Sequence, residues 1–367
     1  MMVARQDPLR RLSLAARAVE RDVQFMEICG THTTSAFRSG LHSLMPANVK
    51  LLSGPGCPVC VTSQQDIDRL IELSRREGVT LCTYGDMLRV VGSEGSLEQA
   101  RGDGADVRVV YSSLEAVRLA ALEPQRQVVF AAVGFETTTP ATAAAVVEAR
   151  RLRLRNFSIL ASHKLIFPAM RALLESGDVR IDGFLCPGHV AVILGASAFE
   201  PIVGDYGKSC VIAGFEGPQI AIAVARLVEF VAAGKPALEN LYSQAVTETG
   251  NLTARHLIEQ VFEPADWIWR GLGLLPGSGL KLRSNWSEFD AASRFALSDK
   301  PARPIHGCRC GDVITGRITP PQCELFATAC TPVRALGPCM VSSEGTCQAY
   351  FKYHRVKVAR AVAGSAV

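Results

Sequence analysis

Hydrophobic positions fall into two repeating patterns along residues 8–250, and together these patterns predict strands followed by helices. Short apolar runs that end in polar or glycine-containing loops are typical of buried strands. Other segments carry apolar residues three and four positions apart, as in Ile67, Leu70 and Ile71, which is the spacing of an amphipathic helix. Strands that alternate with helices favour a parallel sheet covered on both faces. The predicted strands are 25–29, 49–53, 79–83, 107–111, 128–133, 157–161, 184–186 and 210–213.

The pattern begins a second time near residue 128, and two strand-end segments, 82–85 and 186–188, are about 104 residues apart. We therefore predict an α/β fold with two tandem Rossmann-like parallel-sheet units and a loop-rich C-terminal domain. The predicted domains are residues 1–121, 122–250 and 251–367. The N-terminal helix is expected to pack on the C-terminal domain.

Beyond residue 250 the periodic pattern stops, and glycines and prolines interrupt the chain. Glycines are frequent between Trp267 and Gly279, and prolines at positions from 301 to 338 are interspersed with cysteines. Such residues exclude long regular elements. A region of this kind needs another source of order, and a bound metal would supply one.

The composition narrows the function classes. Hydrophobic residues make up 48% and charged residues 20% of the 367 positions, which excludes a predominantly disordered chain. The net charge of +4 (39 − 35), with no basic stripe, does not support nucleic-acid binding. The longest apolar stretch, 220–233, contains two charged residues and is too short for a membrane span, and no secretion signal is visible at the N-terminus. We expect a cytoplasmic protein without a membrane partner.

Cysteines are the most informative residues, because six of the twelve lie between positions 308 and 347. In a reducing compartment they are expected to be metal ligands or redox groups. Four have six to eight residues between them, which suits loops wrapped around a [4Fe–4S] cluster better than zinc, whose sites usually contain C-x2-C pairs. The third domain is therefore predicted to be an Fe–S domain, although zinc, or a loop of inert buried thiols, stays open. The four are Cys323, Cys330, Cys339 and Cys347, with Cys308 and Cys310 as rival ligands.

A C-x2-C pair, Cys57 and Cys60, follows the second predicted strand and opens a helix. The free N–H groups and positive dipole at a helix N-terminus lower the pKa of a thiol. Such a pair can cycle between dithiol and disulfide, or its thiolates can bind a soft metal. The alternative is half of a structural zinc site, although the chain contains no matching C-x2-C pair.

Polar residues in other strand-end loops are further candidates. Cys29 and His32 could act as nucleophile and base or as two ligands, or they could be an ordinary core thiol and a loop histidine. Glu136 and His189 occupy the equivalent place in the second unit, as acid–base groups, proton relays or partner contacts, or as simple helix caps. Because ligands gather at the carboxyl ends of parallel strands, we expect Cys29, His32 and the C-x2-C pair to converge.

Five motifs in this order resemble the HypD family of [NiFe]-hydrogenase maturation factors, over about residues 25–353. They are Cys29-Gly-Thr-His-Thr, Gly54-Pro-Gly-Cys-Pro-Val-Cys, Gly134-Phe-Glu-Thr-Thr, Pro187-Gly-His-Val, and the cysteine-containing tail from Cys323 to Cys347.

The resemblance implies a function that the spacings alone do not give. Members form a complex with the small chaperone HypC, on which the Fe(CN)2CO moiety is assembled. Cyanide comes from HypE working with HypF, and the iron then passes toward the hydrogenase large subunit. The alternatives from the residues are a stand-alone Fe–S dithiol-disulfide oxidoreductase and a zinc-stabilised binding module.

The resemblance also assigns roles. Cys29 would share the transient iron with HypC, and Cys57 and Cys60 would be a redox-active pair that contacts the same iron. His32, Glu136 and His189 would be supporting polar residues. The four tail cysteines would hold the [4Fe–4S] cluster.

Overall fold

The computed structural model describes residues 7–297, 302–303 and 305–354, so the ends of the first and third predicted domains, 1–6 and 355–367, lie outside the described residues. The strands are β1 Val23–Glu27, β2 Val49–Ser53, β3 Val79–Thr83, β4 Asp106–Val109, β5 Gln127–Gly134, β6 Phe157–His163, β7 Gly183–Pro187, β8 Ser209–Ala213, β9 Leu238–Asn240, β10 Phe262–Trp269 and β11 Gly273–Leu282. The first helices are α1 Pro8–Arg17, α2 Gly30–Arg38, α3 Leu41–Leu44, α4 Pro58–Val61, α5 Gln64–Ser74, α6 Leu97–Gly102, α7 Ser113–Leu122, α8 Thr139–Arg151 and α9 Ile166–Ser176. The remaining helices are α10 Gly188–Leu194, α11 Glu200–Tyr206, α12 Gly217–Ala232, α13 Leu252–Val261, α14 Ala291–Arg294, α15 Cys310–Ile314, α16 Pro338–Val341 and α17 Thr346–Tyr353.

Two parallel sheets form the body of the molecule and confirm the predicted α/β class. The first sheet has the order β2-β1-β7-β8-β9, and the second has the order β4-β3-β5-β6. Every strand pair in them is parallel, and the helices between them bury apolar side chains against the sheet faces.

The connection between the two sheets is more complex than a simple succession along the chain. Phe25 in β1 pairs with Gly183 in β7, so the second sheet is inserted into the first. β3 pairs with both β4 and β5, so the predicted boundary at 121/122 falls inside one sheet. The reason is physical: a buried strand has the same apolar pattern whichever neighbour it pairs with.

The N-terminal helix packs beside the first sheet, whereas we expected it on the C-terminal domain. α1 lies against α12. Arg11 donates from Nε and Nη2 to the two carboxylate oxygens of Glu229, at 2.8 and 2.9 Å. Leu12 is buried in the same apolar cluster as Val224 of α12. The expectation was wrong because an apolar helix face does not specify which surface covers it.

Residues 262–282 form an antiparallel hairpin where the sequence predicted irregular chain. Gly271 and Gly273 adopt positive φ values of 83° and 76°, and they supply the turn between β10 and β11. The turn end of the hairpin is attached to the end of α4 by two backbone contacts. Trp269 forms an isolated antiparallel β-bridge with Thr62, and the backbone N–H of Arg270 donates to Val61 O at 2.9 Å.

Residues 305–354 form a segment of short helices and turns, as the sequence predicted for the cysteine-rich part. We call it the cysteine segment. Its helices α15, α16 and α17 pack on α4 and α2, which follow the first two strands. No helix within the described ranges is long and apolar enough to cross a bilayer.

Candidate thiol and metal site

The Cys57–Cys60 pair lies at the carboxyl end of β2, where the sequence placed it. Cys57 is the N-cap of α4, and its Sγ accepts the backbone N–H of Cys60 at 3.2 Å. The two sulfurs are joined as a disulfide. Cys57 is 5% exposed and Cys60 is fully buried, so neither residue lies open to bulk solvent.

Cys29 lies against the same loop, because β1 and β2 are neighbours and both loops leave the same edge of the sheet. A Cβ on Gly56 would stand only 2.2 Å from the backbone nitrogen of Cys29. The N–H of Gly30 donates to Gly56 O at 3.1 Å. The Cys29 and C-x2-C loops are therefore in direct contact, and the glycine at 56 permits the approach.

The Cys29 thiol is strongly biased toward its protonated form. Burial raises its pKa to about 12, and the nearby Glu344 carboxylate acts in the same direction. The backbone N–H groups of His32 and Thr31, at the start of α2, oppose this rise in pKa but are outweighed. A cation that replaces the proton would convert the thiol into a soft ligand.

All six cysteines of the cysteine segment line one small cavity with apolar walls. Backbone N–H groups already point at two sulfurs: Leu336 donates to Cys330 Sγ at 3.4 Å, and Cys347 donates to Cys339 Sγ at 3.2 Å. Hydrogen bonds of this kind are a usual feature of iron–sulfur ligands. The lining residues are Cys308, Cys310, Val313, Cys323, Leu325, Phe326, Cys330, Gly337, Cys339, Met340 and Cys347.

The donor set fits a soft metal centre of the iron–sulfur kind, since the side chains lining the cavity offer only sulfur donors. Burial raises the pKa of Cys308 to about 12, and a hydrogen bond with Cys339 together with burial raises the pKa of Cys310. Such thiols become thiolates when a metal replaces their protons. In the described part of the chain, no three His, Cys, Asp or Glu side chains are already arranged around a single metal ion.

The cysteine cavity adjoins the disulfide. α16 packs on α4, and Cys60 Sγ lies 3.9 Å from the carbonyl oxygen of Pro338, the residue before Cys339. The same segment also reaches the Cys29 loop, where the Thr31 hydroxyl donates to Glu344 Oε1 at 2.8 Å. Cys29, the Cys57–Cys60 disulfide and the six cysteines of the cysteine segment come from distant parts of the sequence and are therefore brought to one region.

His32 and His189 meet around Phe215. The His32 ring lies 4.8 Å and the His189 ring 4.0 Å from the Phe215 ring, centroid to centroid. His32 Nε2 faces the carbonyl oxygens of Ala213 and Gly214 at 3.3 and 3.0 Å, so it donates, and Nδ1 is buried without a partner. Burial lowers the pKa of His32 to about 4, which keeps the ring neutral.

Glu136 lies at the N-terminus of α9, beside the second sheet. Its Oε1 accepts the Ile166 N–H at 2.9 Å, while its Oε2 is buried without a partner. Burial raises its pKa to about 7. These contacts correspond to the helix-capping alternative, and they lie on a different sheet from Cys29.

Two polar groups near the thiols were missed by the sequence interpretation. Arg270 lies between α4 and the cysteine cavity, and Glu344 lies at Cys29. Glu344 lies within the cysteine-containing tail that carries the family resemblance, so the sequence did mark it as a candidate. No motif marks Arg270. Its position depends on the β10–β11 hairpin, and the glycines in this part of the sequence predicted irregular chain there.

Comparison with known proteins identifies relatives that match nearly the whole chain. A family model described as HypD, hydrogenase formation hypA family, matches residues 6–354. The chain is 46% identical to hydrogenase maturation factor HypD of Azotobacter vinelandii, covering 93% of this chain and 92% of the relative. It is 44% identical to the HypD of Cupriavidus necator, covering 95% of each. It is 42% identical to the HypD of Escherichia coli K12, covering 94% and 93%.

Proposed function

The chain belongs to the HypD family of hydrogenase maturation factors, and we propose that it is the scaffold on which the Fe(CN)2CO moiety of [NiFe]-hydrogenase is assembled. In this proposal it works in the cytoplasm, in complex with HypC. Cyanide reaches the iron from HypE, and the hydrogenase large subunit receives the product indirectly.

One observation carries the proposal: the Cys29 loop, the Cys57–Cys60 disulfide and the cysteine cavity lie side by side. Gly56 packs on Cys29, and Cys60 lies against Pro338, which precedes Cys339 of the cavity. Iron that carries cyanide and carbon monoxide needs soft, electron-rich ligands, which thiolates supply. Cys29 is the scaffold thiol in this account, with Cys57 and Cys60 able to contact the same iron once they are reduced.

The cysteine cavity is proposed to hold a [4Fe–4S] cluster through Cys323, Cys330, Cys339 and Cys347. When bound, the cluster supplies single electrons. The Cys57–Cys60 disulfide accepts two electrons and two protons and opens to two thiols. The electrons originate from an external one-electron donor, and the short contact through Pro338 makes Cys60 the sulfur on the cluster side.

Three polar residues have supporting roles in the proposal. His32 of α2 and His189 of α10 pack on Phe215 and so join the two helices near the scaffold thiol. Glu136 fixes the start of α9. None of the three is assigned as an iron ligand.

Anaerobic infrared spectroscopy of the protein co-expressed with its maturation partners tests the scaffold role. Cys29→Ser should abolish the cyanide and carbon monoxide bands, while Cys186→Ala, at a buried core thiol, serves as the matched control and should retain them. Cyanide bands of full intensity in Cys29→Ser would contradict the role of this thiol.

The redox role has a separate test. Replacing Cys57 and Cys60 together with serine should leave the visible absorbance of the cluster intact and remove cyanide-bearing iron from the complex. Surviving cyanide bands would refute the electron relay while leaving the scaffold role standing.

A stand-alone dithiol-disulfide oxidoreductase is less well supported, because a protein disulfide must approach the attacking sulfur directly. Cys57 and Cys60 are 5% and 0% exposed. Turnover of generic disulfides by the isolated protein would favour this alternative, and the absence of such turnover is what the scaffold proposal predicts.

A further inference from the structure

Arg270 is a half-buried cation beside the cysteine cavity to which the proposed scaffold chemistry gives no role. It follows directly after β10, and its Nε atom is buried and has no hydrogen-bond partner. Its guanidinium contacts the amide oxygen of Gln64, a neutral group, and no carboxylate of the described residues forms an ion pair with it. A guanidinium in this setting needs an explanation, because burying an unpaired charge is costly.

The position of Arg270 is fixed from both sides. Its backbone N–H donates to Val61 O at 2.9 Å, at the end of the helix that carries Cys60. Its Nη1 and Nη2 both donate to Gln64 Oε1 at 3.2 Å. The next residue, Gly271, packs so closely on Gly311 that a Cβ there would stand 2.7 Å from the Gly311 carbonyl oxygen. The backbone of residues 270–271 is therefore held between α4 and α15, and the guanidinium is anchored on Gln64 at the start of α5.

This position places the charge next to the thiols. Arg270 lines a cavity together with Cys308, Cys310 and Gly311. Those two cysteines also line the neighbouring cavity that contains the four proposed cluster ligands.

We propose that Arg270 is the counter-charge of the iron–sulfur centre, and that its fixed guanidinium raises the reduction potential of the cluster next to the Cys57–Cys60 disulfide. This inference rests on the proposed [4Fe–4S] centre. A cube held by four thiolates is anionic and gains a further negative charge on reduction, so a nearby cation stabilises the reduced form more than the oxidised form.

The counter-charge matters for the relay because electrons must enter the cluster before they reach the disulfide. A cluster without the cation is harder to reduce by the same external donor. In this proposal Arg270 acts through the electric field of its guanidinium, which its hydrogen bonds to Gln64 keep in place. It is therefore a positioning residue and not a ligand.

The test is a redox titration of the anaerobically purified full-length protein, followed by the electron paramagnetic resonance signal of the reduced cluster. Arg270→Gln should shift the midpoint potential to a more negative value, and Arg270→Lys should remain close to the wild type, because the charge is kept. Arg317→Gln is the matched control. Arg317 lies near the same hairpin turn, with its Nη1 3.4 Å from Gly271 O, but its charge is paired with Asp178. Its potential should stay unchanged.

Equal potentials in Arg270→Gln and the wild type would overturn the inference, as would an equal negative shift in Arg270→Lys. If Arg270→Gln folds but retains no iron, the inference requires Arg270→Lys to restore the iron content, and failure to restore it in a folded protein would also overturn it. A wild-type protein that never binds a cluster would instead refute the proposed function.

Discussion

The parallel sheets and the cysteine segment place their cysteines in different surroundings, although both bring sulfur atoms to the same region. In the sheets, Cys82, Cys186 and Cys210 are fully buried among apolar side chains and behave as core residues. In the cysteine segment, six cysteines surround one cavity, and only short helices connect them. Apolar burial accounts for the first set of cysteines, whereas the second set lines a common cavity whose sulfur donors are compatible with a soft metal centre. The same residue type is therefore a core residue in one region and, in our proposal, a metal ligand in the other.

The largest effect is expected where this contrast is tested with two matched cysteine substitutions. Cys330→Ser should remove most of the iron and visible absorbance and should increase amide hydrogen exchange across residues 305–354, because the segment loses its metal. Cys82→Ala should keep the absorbance and cost about 1 kcal/mol of unfolding free energy. Full iron content in Cys330→Ser would show that the cavity does not depend on this thiol.

The contact between the C-x2-C loop and Cys29 is tested by Gly56→Ala. The added Cβ would collide with the Cys29 backbone, at 2.2 Å, so we expect a loss of about 1–3 kcal/mol in unfolding free energy together with loss of cyanide-bearing iron. Gly204→Ala in α11 is the control, because no atom lies within 4 Å of its added Cβ. Equal stability of the two variants in urea unfolding would mean that the loops are not in tight contact.

The sheet region has a pH dependence of its own that needs no metal. Burial raises the pKa of Glu136 to about 7 in the folded protein, above its ordinary value of 4.5, so the folded state binds this proton more tightly. The contribution is present below pH 4.5 and is lost as the pH rises through 7, by about 3 kcal/mol in total. Urea unfolding at about pH 5 and pH 8 should show a smaller loss of stability for Glu136→Gln than for the wild type.

Glu200→Gln, at the exposed start of α11, is the control for that comparison and should follow the wild type at both pH values. A parallel loss in Glu136→Gln and the wild type would show that Glu136 does not titrate in this range.

The smallest effect is expected at the outer surface of the first sheet, where Arg11 and Glu229 join α1 to α12. Their side chains are 33% and 29% exposed, so solvent screens the pair. Arg11→Gln should cost about 0.5 kcal/mol, measured by urea unfolding at low salt, and less at high salt. A loss of several kcal/mol would mean that α1 is held by this pair and not by the burial of Leu12.

The sequence predicted individual elements well and their partners poorly. β2 and β3 lie at the predicted residues, and α5 contains the predicted helical spacing of Ile67, Leu70 and Ile71. The pairing of β1 with β7 was not predictable, because the apolar pattern of a strand does not specify which distant strand lies beside it. The insertion of the second sheet into the first follows from that pairing.

The site shows the same division. The C-x2-C pair was recognisable from its position after a strand, and the four tail thiols were recognisable from their spacing. Whether Cys308 and Cys310 share the tail cavity was open from spacing alone, and the structure places both on its wall. Arg270 was not predictable, since it depends on the turn at Gly271 and Gly273, which the sequence showed only as breakers of regular structure.

The central claim is that the metal centre of the cysteine segment exchanges electrons with the disulfide on the sheet. The most direct measurement reduces the protein anaerobically with a one-electron donor that does not itself attack disulfides, and then counts alkylated cysteines by mass spectrometry. The account predicts that Cys57 and Cys60 become alkylated in the wild type and remain joined in Cys330→Ser. Equal alkylation of the pair in both proteins would contradict it.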